Sequence, residues 1–111
     1  MSIRDRIRQI HVQMREHVLT PQQARTFETT LTGLLGNVTD EVLDADHAYR
    51  QVFLAAFERE KKQNAARVYA DASDEGKRLT EARATEKLVM EMIRTCRSTL
   101  KSLDGEMRLA R

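Results

Sequence analysis

Three residues with metal-binding side chains share one side of a predicted helix in the middle of the chain. Asp40, Asp44 and His47 are spaced four and three residues apart, which places them on one helix face, with Glu41 and Asp46 nearby. Carboxylate oxygens on such a face can bind Mg²⁺ or Mn²⁺, as a metal-dependent nucleotide hydrolase requires. A solvated acidic face explains the same spacing more simply. We therefore predict no metal site and no cofactor, and keep the hydrolase as an alternative.

The single cysteine is the next group with a chemistry of its own. Cys96 falls in the apolar repeat of a predicted helix, with no histidine in its heptad neighbourhood to activate it. His11 and His17 are six residues apart, so they lie on different faces of a helix and do not form a metal-binding pair. The residues therefore predict a buried thiol and a protein that is not an enzyme.

Basic side chains form two groups that could contact the phosphates of a nucleic acid. One follows the polar middle of the chain, and the other flanks the last predicted helix. The candidate nucleic-acid-binding residues are Lys61, Lys62, Arg67, Tyr69, Arg94, Arg97, Lys101 and Arg108. Cations that contact phosphates, together with an aromatic ring that stacks on a base, suit sequence-independent binding of a single strand. The competing interpretation is a solvated or salt-bridging face, because the outer positions of any exposed helix are charged.

The strongest repeat in the sequence lies in its last third. Apolar or small residues recur there in alternating steps of three and four, and only Glu86 interrupts them. This terminal seam is Leu79, Ala82, Glu86, Val89, Ile93, Cys96, Leu100, Leu103, Met107 and Ala110. With Leu79 as heptad position a, the basic flank is Lys87, Arg94, Lys101 and Arg108 at b, and Arg83, Arg97 and Arg111 at e. The spacing predicts a long helix that packs against other helices.

The clearest boundary in the sequence is at Thr20 and Pro21. Pro21 disfavours helix at Thr20 but suits the first turn of a new helix, and Thr20 with Gln23 forms a capping box. A first helix, over about residues 2–18 and capped by Ser2, therefore ends here. Its seam is Ile3, Ile7, Ile10, Met14 and Val18, and the basic stripe beside it is Arg4, Arg8, His11 and Arg15. We expect that stripe to be solvated, the alternative being an arm that contacts DNA or a partner.

The second predicted helix covers about residues 21–72. Its two glycines permit a kink near residue 36, and a polar stretch permits a break near residue 62. Ser73 to Gly76 supply a turn before the last helix, over about residues 77–110. The seam of the second helix is Leu31, Leu35, Val38, Val42, Ala45, Tyr49, Val52 and Ala56.

Matching seams on two long helices that are joined by a short turn predict an antiparallel pair. The predicted fold is all-α: a short N-terminal helix and then a long, coiled-coil-like helical hairpin, in a single helical domain over residues 1–111. The apolar face of the second helix is broader than one partner covers. We therefore expect the protein to form a homo-oligomer.

Charge is unevenly distributed along a chain whose net charge is only +2. Six basic against ten acidic side chains give −4 over residues 21–75, whereas nine against five give +4 over residues 76–111. This segregation permits charge matching between helices, and it equally permits a basic surface for a polyanion. No apolar run approaches the ~20 residues that span a bilayer, and one cysteine fits a reducing compartment. We expect a cytoplasmic protein without a membrane partner.

The sequence also resembles small helical proteins of tailed phages that accompany replication and recombination functions. The stretches that carry the resemblance are Ala-Asp-His-Ala-Tyr-Arg (45–50), Lys-Lys-Gln-Asn-Ala-Ala-Arg-Val-Tyr (61–69) and Glu-Met-Ile-Arg through Glu-Met-Arg-Leu-Ala-Arg (91–111). Over residues 45–111 it is similar to the recombination mediators of T-even phages, although it lacks a second aromatic after the lysine pair. The resemblance implies an oligomeric factor in the host cytoplasm that binds single-stranded DNA and assists a recombinase or annealing protein. It assigns DNA contact to Lys61, Lys62 and Arg67, with Tyr69 as the aromatic.

A second function class fits the same residues. In a helical protein–protein interaction module, such as an adaptor or an inhibitor of a host enzyme, the acidic middle would pair with the basic end. Such a protein would not bind nucleic acid. Both hypotheses describe a non-enzymatic helical protein, so they differ in what the basic side chains contact.

Overall fold

The computed structural model describes residues 2–109, with side chains as far as Ser102. Over these residues the fold is all-α, with α1 (Ile3–Glu16), α2 (Pro21–Glu60), α3 (Gln63–Ala72) and α4 (Asp74–Leu109), and no strand. The predicted fold class is confirmed in its helical content and in the packing of a long helix pair. Within the same residues, no helix has both the length and the apolar composition that crossing a membrane needs.

The N-termini of α1 and α2 are both set by side-chain caps. The hydroxyl of Ser2 accepts a hydrogen bond from the amide of Asp5 at 3.1 Å. In the capping box, Thr20 Oγ1 accepts from the amide of Gln23, and Gln23 Oε1 accepts from the amide of Thr20, each at 3.1 Å. Such caps satisfy amides that have no partner inside the helix and stabilise it by about 1 kcal/mol each. Both caps were predicted from the sequence.

The first helix ends earlier than its seam predicts. His17 already has an extended backbone, and its amide closes the last turn of α1 on the carbonyl of Gln13. Val18, which the sequence places in the seam, is therefore outside the helix and 95% exposed. The chain must leave the helix by then, because Thr20 stands before Pro21 and caps α2. Val18 thus becomes a surface residue of the connection between α1 and α2.

The predicted second helix is divided into two. α2 continues without interruption through residue 36 and ends at Glu60. Lys61 adopts a left-handed conformation with φ of 56°, and its amide bonds to the carbonyl of Phe57 at 2.7 Å. A left-handed residue is a common way to end a helix, because it satisfies a free carbonyl and turns the chain. Lys62 is extended and is the N-cap residue that precedes α3, so the break occurs where the sequence is most polar.

The turn predicted at residues 73–76 is wrong, because α4 already begins at Asp74. Only Ser73 separates α3 from α4. Its hydroxyl donates to the carbonyl of Ala70 at 2.5 Å and accepts from the amide of Gly76 at 3.1 Å. A β-carbon on Gly76 would collide with the carbonyl oxygen of Ala70 and lie 2.7 Å from that of Asp71. Gly76 is therefore needed for close approach inside a helix and not for a turn.

The chain forms two compact units, each with parts of both long helices. The basic unit comprises Met1–Gly36 and Lys87–Arg111, and the acidic unit comprises Asn37–Glu86. By sequence, eleven basic and six acidic side chains give the basic unit a charge of +5, and eight against eleven give the acidic unit −3. The charge asymmetry seen along the sequence therefore persists in the folded units.

The two cores differ in composition. In the basic unit, mostly large side chains are buried: Ile7, Ile10, Ala24, Leu31, Leu34, Val89, Met92, Ile93 and Cys96. In the acidic unit, the buried apolar residues are mostly alanines: Val38, Ala45, Ala56, Ala66, Ala70, Leu79 and Ala82. The seam residues that contribute to these cores confirm both helical repeats as far as side chains are described. Leu103, Met107 and Ala110 of the terminal seam lie outside that range.

Glu86, the one charged residue of the terminal seam, has a partner within the acidic unit. Its carboxylate accepts a hydrogen bond from Thr39 Oγ1 at 2.9 Å. This bond satisfies the partly buried carboxylate, which explains how the seam continues past a charged position.

Candidate nucleic-acid interface

The side chains on the acidic face of α2 are not brought together as metal ligands would be. Asp40 and Asp44 are exposed, and the His47 ring lies 3.5 Å from the amide nitrogen of Gln51. Among the described residues, no three His, Cys, Asp or Glu side chains converge in a way that could hold a metal ion. The acidic residues next to this face have a different role, as partners of arginines.

Several arginines of α4 are paired with carboxylates of α2. The pairs are Arg78–Glu41 at 2.8 Å, Arg83–Asp46 at 3.6 Å and Arg97–Glu28 at 2.9 Å. The hydrogen bond from its guanidinium to Glu41 raises the pKa of Arg78. Arg97 is a candidate nucleic-acid-binding residue, so one of the predicted contacts already has an acidic partner inside the protein. Acidic middle and basic end therefore pair, at these positions, within one molecule.

The predicted lysine pair lies at the joint between α2 and α3. Lys61 and Lys62 are both exposed, in the unit whose net charge is negative. Next to this joint, the guanidinium carbon of Arg59 is 4.5 Å from the ring centroid of Tyr69, a cation–π contact. The Tyr69 side chain is 51% exposed. Arg59 was not among the candidates, although its position next to the lysine pair was visible in the sequence.

Arg67 and Tyr69 do not act together. Two residues apart on α3, their side chains diverge by about 200° around the helix. On another side of α3, Tyr49 donates a 2.5 Å hydrogen bond to Asp71. This hydrogen bond is the largest cause of a raised pKa at Tyr49, and burial of the phenol raises that pKa further. The nearby positive charge of Arg67 lowers the pKa and so partly opposes the rise. The charge of Arg67 therefore acts on Tyr49, next to its partner Asp71, whereas the ring of Tyr69 contacts Arg59.

The b positions of α4 supply unpaired cations. Lys87, Arg94 and Lys101 are exposed, and none has an ion-pair partner among the described residues. All three belong to the basic unit. Arg108 belongs to it as well, but its side chain lies outside the described range.

The first helix adds more positive charge to the same unit. Arg8 and Arg15 are exposed and form no ion pair with described residues. Arg4 and His11 of the same stripe are half-buried next to the core. The expectation of a solvated stripe is therefore met by Arg8 and Arg15 but not by Arg4 and His11. The positive charge of its unit makes the exposed part of the stripe a candidate for contact with a polyanion.

Arg94 also lines a groove next to the α1–α2 connection, with a volume of about 500 Å³. The other lining residues are Val18, Leu19, Thr95, Ser98, Thr99 and Ser102. Sequence reasoning missed this groove. The available signal was a line of hydroxyl residues at steps of three and four on α4, opposite the seam.

A second, smaller cavity of about 270 Å³ shares Leu19 with the groove. It is also lined by Gln13, His17, Gln23 and the half-buried ring of Phe27. The α1–α2 connection therefore has a concave surface on two sides, both within the basic unit.

Cys96 is a buried free thiol, as the sequence predicts. Burial raises the pKa of the Cys96 thiol, and the negative charge of Glu28 raises it further. A thiol held protonated and away from solvent is a poor nucleophile. It is therefore part of the core of the basic unit.

Comparison with protein-family models, curated proteins and solved structures gives no match. A function for this chain therefore has to be inferred from the arrangement of its own side chains.

Proposed function

We propose that this protein is a non-enzymatic, homo-oligomeric accessory factor that binds single-stranded DNA without sequence preference. It acts in recombination or replication of a phage, in the host cytoplasm. The resemblance of residues 45–111 to the recombination mediators suggests this biological setting. It also suggests a recombinase or annealing protein as partner.

The observation that carries the proposal is the unequal use of basic side chains in the two units. The basic unit has a net charge of +5, and Arg8, Arg15, Lys87, Arg94 and Lys101 are exposed there without an ion-pair partner among the described residues. Each of them can displace a counterion from a phosphate at no cost in broken ion pairs. The proposed interface is therefore the basic unit, through α1 and the b positions of α4.

The lysine pair has a secondary role in this proposal. Lys61 and Lys62 are exposed, but Asp and Glu outnumber Lys and Arg in their unit. Their attraction for a polyanion is reduced by that surrounding charge. Tyr69, half-exposed under Arg59, remains available to stack on a base at one face of its ring.

Self-association is supported by apolar side chains on the surface of α2. Leu43, Leu54 and Phe57 are 62%, 59% and 40% exposed. They are spaced by eleven and three residues, so they lie along one stripe of the helix. A second copy that covers this stripe would remove it from water and multiply the basic units that one strand can contact. Light scattering at micromolar concentration tests this, and a strictly monomeric protein would contradict it.

The test of DNA binding is a salt series with fluorescently labelled oligothymidine and anisotropy as the readout. Binding through several phosphates requires affinity to fall steeply as salt rises, by a slope of about 0.7 per contact for single strands on logarithmic axes. Unlabelled duplex of equal length serves as the competitor and must displace the label less well than oligothymidine does. No binding at low salt, or an affinity that does not depend on salt, rejects the proposal.

A helical protein–protein interaction module is the second candidate. The pairs formed by Arg78, Arg83 and Arg97 favour it, because they show basic side chains of α4 used to join helices. In that case, the exposed stripe of α2 would bind a host protein. Capture of one stoichiometric host protein, without binding of oligothymidine at low salt, would support this candidate over the first.

A further inference from the structure

The groove next to the α1–α2 connection has properties that go beyond a generally basic surface. It has a volume of about 500 Å³, within the range of roughly 300–1,000 Å³ that small-molecule sites occupy. Among the residues whose side chains the structure describes, no Asp or Glu lines it. Its chemistry comes from one guanidinium, a set of hydroxyls and an apolar edge.

The polar side of the groove is suited to a phosphodiester. Arg94 can donate two parallel hydrogen bonds to phosphate oxygens. The hydroxyls of Ser98, Thr99 and Ser102 have no hydrogen bond within the described residues, so they are free to donate as well. Thr95 differs, because its hydroxyl already donates to the carbonyl of Glu91 at 3.1 Å.

The apolar side of the groove is suited to the rest of a nucleotide. Val18 is 95% exposed there, and no contact with a described residue buries its side chain. Exposure of an apolar side chain to water is unfavourable, because the hydrophobic effect favours its burial. Leu19 next to it is half-buried, and it also lines the adjoining cavity together with Phe27. A sugar or base placed against Val18 and Leu19 would remove this apolar surface from water.

From these contacts we infer that the groove is a nucleotide subsite of the single-strand interface. Arg94, Ser98, Thr99 and Ser102 bind one backbone phosphate, and Val18 and Leu19 pack against the attached sugar or base. This inference rests on the proposed function, since the occupant is a segment of single-stranded DNA. The commitment to nucleic acid comes from charge complementarity with a unit of net charge +5.

The sharpest test introduces a carboxylate at the exposed edge. Val18→Asp should weaken oligothymidine binding about tenfold or more, because it places a negative charge next to the phosphate. The matched control is Thr32→Asp, which also introduces one carboxylate, at an exposed position of α2 in the same unit, outside the groove lining and away from the basic residues of α1. Both positions are exposed enough to keep the fold, which far-UV circular dichroism of each variant verifies.

A second pair of variants tests the phosphate contact directly. Arg94→Ala should lower the salt slope by about 0.7, the loss of one phosphate contact, and weaken binding about tenfold. Arg25→Ala, an exposed arginine of the same unit outside the groove, should change binding by less than about threefold. Ser98→Ala combined with Ser102→Ala should weaken binding while the salt slope stays unchanged, because no charge is removed.

The outcomes separate the inference from the function it deepens. If wild-type protein does not bind oligothymidine, the proposed function fails and the subsite fails with it. If wild-type protein binds, but Val18→Asp matches Thr32→Asp and Arg94→Ala matches Arg25→Ala, only the subsite is overturned. Displacement of the oligonucleotide by inorganic phosphate, against chloride at equal ionic strength, would also overturn it in favour of a free-phosphate site.

Discussion

The basic and acidic units use their polar side chains in opposite ways. The acidic unit buries mainly alanines, and its helices are also joined by Arg78–Glu41, Arg83–Asp46 and Tyr49–Asp71. The basic unit buries mostly large side chains. Most of its exposed arginines and lysines have no described ion-pair partner, and Arg97, which pairs with Glu28, is an exception.

A difference in core composition accounts for this contrast. Burial of large aliphatic side chains stabilises by roughly 25 cal/mol per Å², so a core of Ile, Leu and Val contributes more than one of Ala. Alanines let helices approach closely but bury less surface, so polar contacts across the helices matter more in the acidic unit. In the basic unit, Arg8, Arg15, Lys87, Arg94 and Lys101 form no ion pair with described residues, which leaves them available for a ligand.

The largest effect is expected from a methyl group in the acidic unit. Gly76→Ala should destabilise the protein by about 2–3 kcal/mol, because its β-carbon collides with backbone carbonyls that cannot move independently. Gly36→Ala is the matched control in the basic unit, where nothing lies within 4 Å of the added carbon. It should stabilise by about 0.5–1 kcal/mol, as expected inside a helix. Urea unfolding followed by circular dichroism measures both, and equal effects would contradict the packing described for Gly76.

The next effect compares charge reversal in the two units. Arg8→Glu with Lys101→Glu should weaken oligothymidine binding roughly thirtyfold, about 2 kcal/mol, because both cations belong to the proposed interface. Lys61→Glu with Lys62→Glu makes the same change in charge in the acidic unit and should weaken binding less than about threefold. Anisotropy titrations at one salt concentration measure both. The reverse order would move the interface to the joint between α2 and α3.

A smaller effect is expected from the tyrosine bond of the acidic unit. Tyr49→Phe should cost about 0.5–1 kcal/mol, because it removes the hydrogen bond to Asp71 at a partly exposed site. The pKa of Tyr49 is raised in the folded protein, so this contribution is complete below pH 10 and is lost as pH rises through the raised pKa. The variant should lack that alkaline loss in urea unfolding at increasing pH. Tyr69→Phe is the control, and an identical pH dependence in wild type and Tyr49→Phe would contradict the prediction.

The smallest effect is expected from the ion pair of the basic unit. Arg97→Ala should destabilise by about 0.5 kcal/mol or less, because the Arg97 side chain of the pair with Glu28 is 63% exposed and screened by water. The difference should vanish in unfolding measured at high salt. Its effect on oligothymidine binding should be smaller than that of Arg94→Ala, since the charge of Arg97 is already shared with a carboxylate. If Arg97→Ala and Arg94→Ala weaken oligothymidine binding equally, the ion pair with Glu28 does not prevent Arg97 from contacting DNA.

Much of the helical framework was predictable because it depends on local patterns. The capping box of Thr20 and Gln23 and the buried residues from Leu79 to Cys96 follow from spacing alone. Gly76 was misinterpreted as a turn residue, because the same residue type serves turns and close contacts. Only the neighbouring carbonyls of Ala70 and Asp71 distinguish the two.

The candidate site was less predictable, because it depends on residues distant in sequence. Nothing local to Arg97 indicates that Glu28 is its partner, and nothing near Tyr69 indicates that Arg59 covers its ring. The groove requires the α1–α2 connection to lie against α4, which a heptad pattern does not specify. The basic character of the last helix was visible in the sequence, whereas which of its cations are free was not.

The buried thiol of Cys96 can be used to measure how often the helices of the basic unit separate. It is the only cysteine in the chain, it has no exposed surface, and its pKa is raised. A thiol reagent can therefore modify the protein only when the surrounding helices separate, so the modification rate measures how often they do. A ligand that binds the closed form must slow that reaction. Single-stranded DNA on the basic unit should protect Cys96 without touching it.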